Sequence, residues 1–369
     1  MIDLAALRHN LRVFRERAPN VGLVGVVKAN AYGHGAIEIS RTLVDERIDG
    51  LAVAIVPEAI ALRNSGITCP IMVFGAVRPQ SIDRYVEYDL EAFITSVESL
   101  SVIRNVPGLR VHLHVDTGMG RLGIQPNEVA RTLSLLDGMP GIELAGISTH
   151  LASAANPDRV FSSIQWSTFA GVLRSLGSPP APLHLASSGA FFTVPESVDP
   201  DIIGYARPGI GLYGLMEIAG TRHRDLLKPV MTLVSEVAQI KIVEADTPIS
   251  YDGRWRAPKR TRIVTVAAGY ADGYPRNLTN KGVVGIRGSL YPVVGAVCMD
   301  LLMVDVGPPG EEDAQIQPAD PVVLFGSGGP SAIRLAELSD TIPYELVCRV
   351  APRIPRVYMN SDETPETSQ

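Results

Sequence analysis

The stretch Val24-Gly25-Val26-Val27-Lys28-Ala29-Asn30-Ala31-Tyr32-Gly33-His34-Gly35 joins a short apolar run to a lysine and a loop of small residues. The run is typical of a buried strand, and the two glycines mark the loop that follows it. A lysine at the end of a buried strand is costly, because its ammonium group loses hydration unless it is paired or neutralised. Lys28 is therefore either an ordinary surface lysine or a residue for amine chemistry such as Schiff-base formation.

Apolar runs of this kind recur eight times in the first part of the chain. Most are separated by segments with the apolar spacing of a helix, as at Ile37, Leu43 and Val44. Eight buried strands alternating with helices are typical of a parallel barrel. We therefore predict an α/β fold that begins with a (β/α)8 TIM-type barrel, with strands in Gly22–Lys28, Gly50–Ile55, Pro70–Phe74, Glu91–Thr95, Arg110–Val115, Ile142–Thr149, Pro182–Ala186 and Ile202–Ala206.

Polar residues stand where several of these strands end. They are Lys28, Asp116 with Arg121, His150, Ser187 with Ser188, and Arg207. Because the carboxyl ends of barrel strands meet on one rim, these dispersed residues are expected to form one site. The segments around Ser188 and Gly209 carry hydroxyl or backbone N–H groups beside glycines, at barrel positions that commonly hold phosphate. The sequence thus predicts a phosphate-binding cradle next to a cationic residue.

The pattern changes after Pro229, where alternating strand segments are separated by Gly, Pro, Asn and Asp turns. This predicts a C-terminal mainly-β domain. Its predicted strands are Thr232–Val243, Arg262–Val266, Gly282–Ile286, Tyr291–Val297, Leu301–Val306 and Val322–Phe325, with helices at Ser331–Leu338 and Tyr344–Val350. We expect a barrel at 3–228, a β-rich domain at 229–358 and a flexible tail at 359–369.

Tyr270 lies between small residues after one of these strands. It is either a packed side chain or a phenol positioned for proton transfer, and composition does not separate the two roles.

Composition excludes several classes of protein. The chain has 369 residues, 46% of them hydrophobic, and a net charge of −6, so it is a globular protein without the basic surface expected for nucleic-acid binding. Three widely spaced cysteines predict neither a disulfide framework nor a cysteine metal site. There is no apolar leader at the N-terminus and no apolar run long enough to cross a membrane. We therefore expect a cytoplasmic protein that binds neither membranes nor nucleic acid.

One alternative is a metal site on the fifth strand. His112, His114 and Asp116 alternate along this strand and would share one face, as in a metal-dependent hydrolase. A catalytic metal needs further ligands from other strands. Apart from His150 and His184, the strand ends offer Lys28, Ser188 and Arg207, which are not suited to that role. We therefore predict no metal.

Four motifs resemble those of the bacterial alanine racemases. They are Val26-Val27-Lys28-Ala29-Asn30-Ala31-Tyr32-Gly33-His34-Gly35, Asp116-Thr117-Gly118-Met119-Gly120-Arg121-Leu122-Gly123, Tyr270-Ala271-Asp272-Gly273-Tyr274-Pro275-Arg276 and Cys298-Met299-Asp300, in the order of the family. The resemblance extends from Ile2 to Tyr358. It implies a pyridoxal 5'-phosphate enzyme with a barrel and a β-domain, which interconverts L- and D-alanine, supplies D-alanine for peptidoglycan, and acts as a homodimer with shared active sites.

The resemblance also implies a role for each matching residue. Lys28 would carry the cofactor and act as one catalytic base, and Tyr270 from a partner subunit would be the other. Arg207 would hydrogen-bond the pyridine nitrogen, with His150 beside it, and Arg121 would contact the phenolic oxygen of the cofactor. The phosphate would be held by Tyr32, Ser188, Gly209 and Ile210. Arg121 and the Met299 N–H would bind the substrate. Two bases on opposite faces are what racemisation requires, since a proton must leave one face of the α-carbon and return to the other.

Three positions depart from the family pattern. His114 replaces a lysine that is carbamylated in several members, Ser187 stands where asparagine is common, and Pro352 aligns with a phosphate-binding tyrosine. Two alternatives remain open. One is a racemase of broader or different specificity, for example for serine or lysine, because the sequence does not identify the residues that set the size of the substrate pocket. The other is a non-catalytic barrel protein that binds pyridoxal phosphate, which would resemble the first domain alone.

Overall fold

Eight apolar segments of the first part of the chain form the parallel strands of a closed barrel in the computed structural model, which describes residues 1–156, 158–216, 226–310 and 316–360. After a short first strand, β1 (Ile2–Asp3), the barrel strands are β2 (Gly22–Val26), β3 (Gly50–Val53), β4 (Ile71–Ala76), β5 (Glu91–Ile94), β6 (Leu109–His114), β7 (Ile142–Ser148), β8 (Leu183–Ser187) and β9 (Ile203–Arg207). Each strand pairs with the next, and β9 closes the barrel on β2. The predicted barrel is confirmed, with every predicted run overlapping one strand.

Helices follow most barrel strands and cover them with apolar faces. The longer ones are Leu4–Arg17, Ala36–Asp45, Val56–Asn64, Val129–Asp137 and Val160–Leu176, with short helices at Ile82–Glu87, Ser99–Ile103 and Ser188–Thr193. In Leu4–Arg17 the side chains of Leu7, Leu11 and Phe14 recur at helical spacing and are fully buried. The barrel therefore has the two-layer construction that the alternating pattern predicts.

The β-rich part is built on a six-stranded antiparallel sheet. Its strands are β10 (Leu233–Val243), β13 (Thr261–Val266), β14 (Val283–Ile286), β15 (Ser289–Pro292), β16 (Leu302–Asp305) and β17 (Pro321–Phe325), in the order β15-β14-β17-β10-β13-β16. Two small sheets pair β11 (Pro248–Ile249) with β12 (Trp255–Arg256) and β1 with β18 (Tyr358–Met359). Helices Ala332–Leu338 and Pro343–Cys348 complete it, and Ser331 caps the first by accepting the Arg334 N–H at 3.0 Å. This confirms the predicted mainly-β fold and its first helix.

One predicted strand, Tyr291–Val297, is shorter than expected. Strand β15 ends at Pro292, which has no N–H to continue the ladder. Gly295 has a left-handed φ of 74°, and a Cβ there would lie 2.7 Å from the Ile249 carbonyl oxygen. The segment after Pro292 is therefore a bent connection held by close backbone packing.

The described chain divides into two compact units. One comprises residues 6–31 and 35–228, and the other comprises 1–5, 32–34 and the chain from Pro229 onward. The N-terminus belongs to the second unit because Ile2 donates its N–H to the Val357 oxygen at 2.7 Å. Met359, expected at the start of the tail, lies in strand β18 and is followed by Asn360, while positions 361–369 of the predicted tail are outside the described residues. Among the helices described here, none is both long and apolar enough to cross a membrane.

Candidate active site

Arg207 is the last residue of β9 and is buried inside the barrel, with 6% of its surface exposed. Its Nη1 donates to His184 twice, to Nδ1 at 2.6 Å and to the carbonyl oxygen at 2.6 Å. Its Nη2 donates to the Thr149 carbonyl oxygen at 2.9 Å. Burial lowers the pKa of Arg207 to about 10, so the guanidinium is still charged at neutral pH. The three bonds therefore fix a permanent cation at the carboxyl end of the barrel.

Lys28 follows β2 and begins a turn of unusual handedness. The φ angles of the next four residues are 52°, 55°, 53° and 52°, all in the left-handed region. Such angles cost roughly 1–2 kcal/mol for each non-glycine residue. Hydrogen bonds hold the turn: the Ala29 N–H donates to Glu58 Oε1 at 2.7 Å, and Asn30 Oδ1 accepts the Ala36 N–H at 2.8 Å. The lysine is half-buried and its main chain is set by this strained but braced segment.

Ser188 organises a turn of backbone donors. Its Oγ accepts the Gly209 N–H at 2.8 Å and the Gly211 N–H at 3.0 Å. With both lone pairs in use, the hydroxyl proton is left to donate to a further acceptor. A Cβ at Gly211 would lie 2.7 Å from Phe14 Cζ, so any other residue would have to displace this buried ring. Ile210, buried, lies between the two donors. The residues of the predicted cradle therefore form a closed turn in which the Gly209 N–H bonds to Ser188, and phosphate binding there stays a prediction.

His114 and His150 lie in the field of several cations. Burial, followed by the Arg207 and Arg121 cations, lowers the pKa of each imidazole to about 3. The Lys28 ammonium adds to this effect on His150. Both rings are therefore neutral at neutral pH and cannot serve as acids there.

The residues of the metal alternative have other partners. His112 bonds to Glu91 at 3.0 Å and to His184 at 2.9 Å, and both imidazole nitrogens are thus engaged. Asp116 accepts the N–H groups of Gly118 and Gly120 within its own loop. His114 contacts the Ser148 hydroxyl at 2.9 Å through Nδ1. In the described part of the chain, no three His, Cys, Asp or Glu side chains are grouped so that they could hold a metal ion.

In the β-rich unit, Tyr270 lies on a loop that is bonded to the loop of Met299. The Tyr270 N–H donates to the Cys298 oxygen at 3.0 Å, and the Ala271 N–H donates to the Met299 oxygen at 3.0 Å. Tyr270 is 42% exposed and Met299 is 52% exposed. The two predicted residues are therefore neighbours on an open surface of this unit.

Two residues that the sequence did not single out brace this pair of loops. The Asp272 carboxylate accepts two hydrogen bonds, from the Gly269 N–H at 2.9 Å and from the Nε–H of Arg353 at 2.8 Å. Arg353 also bonds Asp300 at 2.7 Å through Nη2. An arginine that pairs with carboxylates on two loops far away in the chain cannot be recognised from its sequence neighbours. The only local signal was the aspartate within Tyr-Ala-Asp-Gly-Tyr, which is Asp272.

Tyr32 belongs to the same compact unit as Tyr270. Burial, with Tyr344 and Cys348 nearby, raises its pKa far above the usual value, so the phenol keeps its proton. Its ring meets that of Tyr344 edge-on, with 6.0 Å between centroids. A hydroxyl that cannot ionise can still donate a hydrogen bond to an anion.

A closed parallel barrel with a lysine and a buried arginine at its carboxyl rim, joined in one chain to a β-rich unit that exposes a tyrosine, defines a barrel enzyme. Two family models together match nearly the whole chain. That for "Alanine racemase, N-terminal domain" matches residues 2–217, and that for "Alanine racemase, C-terminal domain" matches residues 230–358. The chain belongs to the alanine racemase family.

Individual relatives resemble both halves of the chain. The alanine racemase of Geobacter sulfurreducens is 40% identical over 375 residues, covering 97% of this chain and 96% of that protein. The structure of alanine racemase from Clostridium difficile 630 has a TM-score of 0.90 at 33% identity and covers 98% of this chain and 95% of that one. The same enzyme in complex with cycloserine has a TM-score of 0.87 at 32% identity, with 98% and 95% covered. The similarity therefore includes the β-rich unit.

Proposed function

We propose that this chain is an alanine racemase that interconverts L-alanine and D-alanine with pyridoxal 5'-phosphate as its cofactor, and that its D-alanine serves peptidoglycan synthesis. Similarity to proteins of that name over both units supports the proposal. The observation that carries it is the buried Arg207 cation beside the Ser188 turn, because this pair suits a ligand with a neutral ring nitrogen and a phosphate.

The residues of the barrel fit this cofactor. The bonds that Arg207 makes to described residues use Nη1 and Nη2 and none reaches a carboxylate, so the Nε–H can serve a ring nitrogen. A guanidinium that already donates a hydrogen bond to that nitrogen disfavours protonation of the nitrogen itself. The Ser188 Oγ accepts from Gly209 and Gly211, so its own hydroxyl proton is left as a donor of the type that binds phosphate. Pyridoxal phosphate, when bound, supplies a conjugated ring that accepts the electron pair left on the substrate's α-carbon.

The proposed roles follow the prediction from the sequence. Lys28 bonds covalently to the cofactor, Arg207 holds the ring nitrogen beside His150, and Arg121 holds the phenolic oxygen. Tyr32, Ser188, Gly209 and Ile210 bind the phosphate, and the Met299 N–H with Arg121 binds the substrate carboxylate.

Lys28 and Tyr270 are the proposed bases. Lys28 Nζ removes or returns the α-proton on one face of the substrate, and Tyr270 Oη does so on the other face. For one enantiomer the lysine takes the proton and the tyrosine gives one, and for the other enantiomer the roles reverse. Each group must therefore be in the opposite protonation state after one turnover.

We propose that Tyr270 is supplied by a second copy of the chain, in a homodimer. The exposure of Tyr270 and Met299 on one surface supports this, because both are accessible in the single chain and lie on loops that bond to each other. We also propose domains at 3–228 and 229–358, and a cytoplasmic location, which the three free cysteines support.

The test is to load the purified protein with pyridoxal phosphate and follow L-alanine by a chiral assay in deuterium oxide. We expect D-alanine to accumulate until the enantiomers are equal, with deuterium at the α-carbon. Cycloserine, the ligand of the related Clostridium difficile structure, should inhibit the reaction. Absence of both D-alanine and α-deuterium in protein that holds the cofactor would refute the proposal and favour a non-catalytic binding protein.

A panel of L-amino acids tests the substrate. If alanine is the substrate, its kcat/KM exceeds those of serine and lysine in the same preparation. A faster reaction with either of these would retain the racemase chemistry and replace the proposed specificity.

A further inference from the structure

We propose that Glu91 positions Arg207 through a relay of two histidines, His112 and His184, which it holds as neutral rings protonated at Nε2. The four side chains form a continuous chain inside the barrel. Glu91 Oε2 lies 3.0 Å from His112 Nε2, His112 Nδ1 lies 2.9 Å from His184 Nε2, and His184 Nδ1 lies 2.6 Å from Arg207 Nη1. The inference rests on the proposed function for the role of Arg207 and on the structure alone for the relay.

The protonation of both rings follows from the end of the chain. An arginine has only donors, so His184 Nδ1 must accept from it and carry no proton. The single proton of that ring then sits on Nε2 and is donated to His112 Nδ1, which must be an acceptor. His112 therefore carries its proton on Nε2 and donates it to Glu91. A doubly protonated ring at either position would leave two donors facing each other.

Glu91 is suited to close the relay as an anion. It is 5% exposed, and its second oxygen, Oε1, lies 3.2 Å from Arg110 Nη1. The hydrogen bond that His112 donates to Oε2 and the Arg110 cation beside Oε1 both favour the ionised form of this buried carboxyl. The carboxylate is thus a fixed acceptor, which removes the freedom of His112 to change tautomer.

A glycine opposite the relay supports its being a built feature of the barrel. Gly146 of β7 pairs in register with His112 of β6, and β8 with His184 lies on its other side. A Cβ at Gly146 would lie 2.5 Å from His112 Nδ1 and 3.0 Å from His184 Nε2, the two atoms that bond to each other. Phe93 stacks on the His112 ring with 5.2 Å between centroids. Space for the imidazole pair therefore exists only because position 146 lacks a side chain.

The consequence concerns Arg207. Two of its three bonds go to His184. If the His184 ring rotated or changed tautomer, its N–H would face the N–H of Arg207 Nη1, and the repulsion would displace the guanidinium. Through the relay, the orientation of a cation on β9 is set by a carboxylate on β5. Glu91 is a positioning residue, since it acts on Arg207 through two other side chains.

The experiment compares Glu91→Ala, Glu91→Gln and the control Glu143→Ala, which removes an exposed carboxylate from β7. Ring ¹⁵N chemical shifts of selectively labelled histidines report the tautomers, with the seven histidines assigned by single substitutions. In the wild-type protein we expect His112 and His184 to be protonated at Nε2 only. Glu91→Ala leaves the buried His112 Nε2–H without an acceptor, so we expect that ring to flip or change tautomer, His184 to follow and Arg207 to be displaced, which gives mixed tautomers in both rings. Glu91→Gln should keep the wild-type pattern, because its amide oxygen still accepts from His112 while its NH2 group faces Arg110, whose partly exposed side chain can turn to solvent.

Cofactor binding gives the second readout. Loss of one bond to a charged group corresponds to about a tenfold rise in Kd, and we expect this for pyridoxal phosphate with Glu91→Ala. The same variant should lower kcat and leave the KM for alanine unchanged, while Glu91→Gln and Glu143→Ala resemble the wild type. A variant that only loosened the barrel would lower the melting temperature without altering the tautomers.

Two results would overturn the relay. One is an Nδ1–H on either ring of the wild-type protein, a test that stands even if Glu91→Ala does not fold. The other is a folded Glu91→Ala protein with unchanged tautomers. Because the tautomers are read without turnover, a protein that passes this test but fails to racemise alanine would refute the proposed function and leave the relay intact.

Discussion

Substitution of Gly269 by alanine should displace Tyr270 and slow racemisation. A Cβ at Gly269 would lie closer than 3.0 Å to the carbonyl oxygens of Cys298 and Met299, a separation that real Cβ atoms essentially never show. These two oxygens also accept the N–H groups of Tyr270 and Ala271. Restoring normal contacts requires a movement on the order of 1 Å, which weakens both bonds. A displacement of this size costs about 100-fold in kcat, and the loss of two hydrogen bonds destabilises the fold by about 1–3 kcal/mol.

The assay measures kcat for L-alanine and D-alanine, together with the melting temperature and bound cofactor. Cofactor content should stay near that of the wild type, because Gly269 lies outside the barrel unit. Gly171→Ala is the matched control, since a Cβ there meets only Arg174 Nη2 at 3.8 Å, within helix Val160–Leu176. This control should keep its activity and gain about 0.5–1 kcal/mol of stability. A folded Gly269→Ala enzyme with wild-type kcat would refute the link between this close approach and Tyr270.

Three further predictions follow from the site. Lys28→Ala should abolish the visible absorbance of covalently held cofactor and all turnover, whereas the exposed Lys259→Ala should change neither; covalent cofactor in Lys28→Ala would contradict the assignment. Tyr270→Phe should keep the cofactor but slow one direction of racemisation more than the other in single-turnover assays, and equal mild losses would argue against two bases. His114 and His150, with pKa values near 3 when folded and about 6.5 when unfolded, bind fewer protons in the folded state. Stability should therefore fall as the pH decreases from about 6.5 towards 3, by up to ~1.4 kcal/mol per pH unit for each ring, and NMR titration should show both rings neutral at pH 5.

The barrel could be predicted because its evidence is local. Each buried parallel strand is an apolar run, and the regular intervals between runs already imply the alternating helices. Polar residues at strand ends were then placed on one rim by the fold itself, as Lys28 and Arg207 illustrate. The ends of the segments were less predictable, and Tyr291–Val297 failed because the backbone packing at Gly295 depends on a distant loop.

The supports of the site could not be predicted in the same way. Glu91 and His184 are separated by 93 positions in sequence, and only barrel closure brings them into one hydrogen-bonded chain. Within an apolar strand a carboxylate or imidazole carries no sign of its partner. Arg353 and Asp272 likewise meet across 81 positions. From the sequence one can say that charged and polar side chains such as these need partners when they are buried. Which partners they have is determined by the fold.

The left-handed turn after Lys28 limits which amino acids the chain can carry there. Ala29, Asn30 and Ala31 all have φ between 52° and 55°, a region from which β-branched side chains are excluded by their own backbone. Alanine and asparagine are among the less encumbered choices that keep more rigidity than glycine. The residues of the segment Lys-Ala-Asn-Ala-Tyr are therefore constrained by the left-handed backbone conformation as well as by the reaction. A search for distant relatives that demands small residues after the lysine selects first for the handedness of a turn, and only through it for a reactive amine.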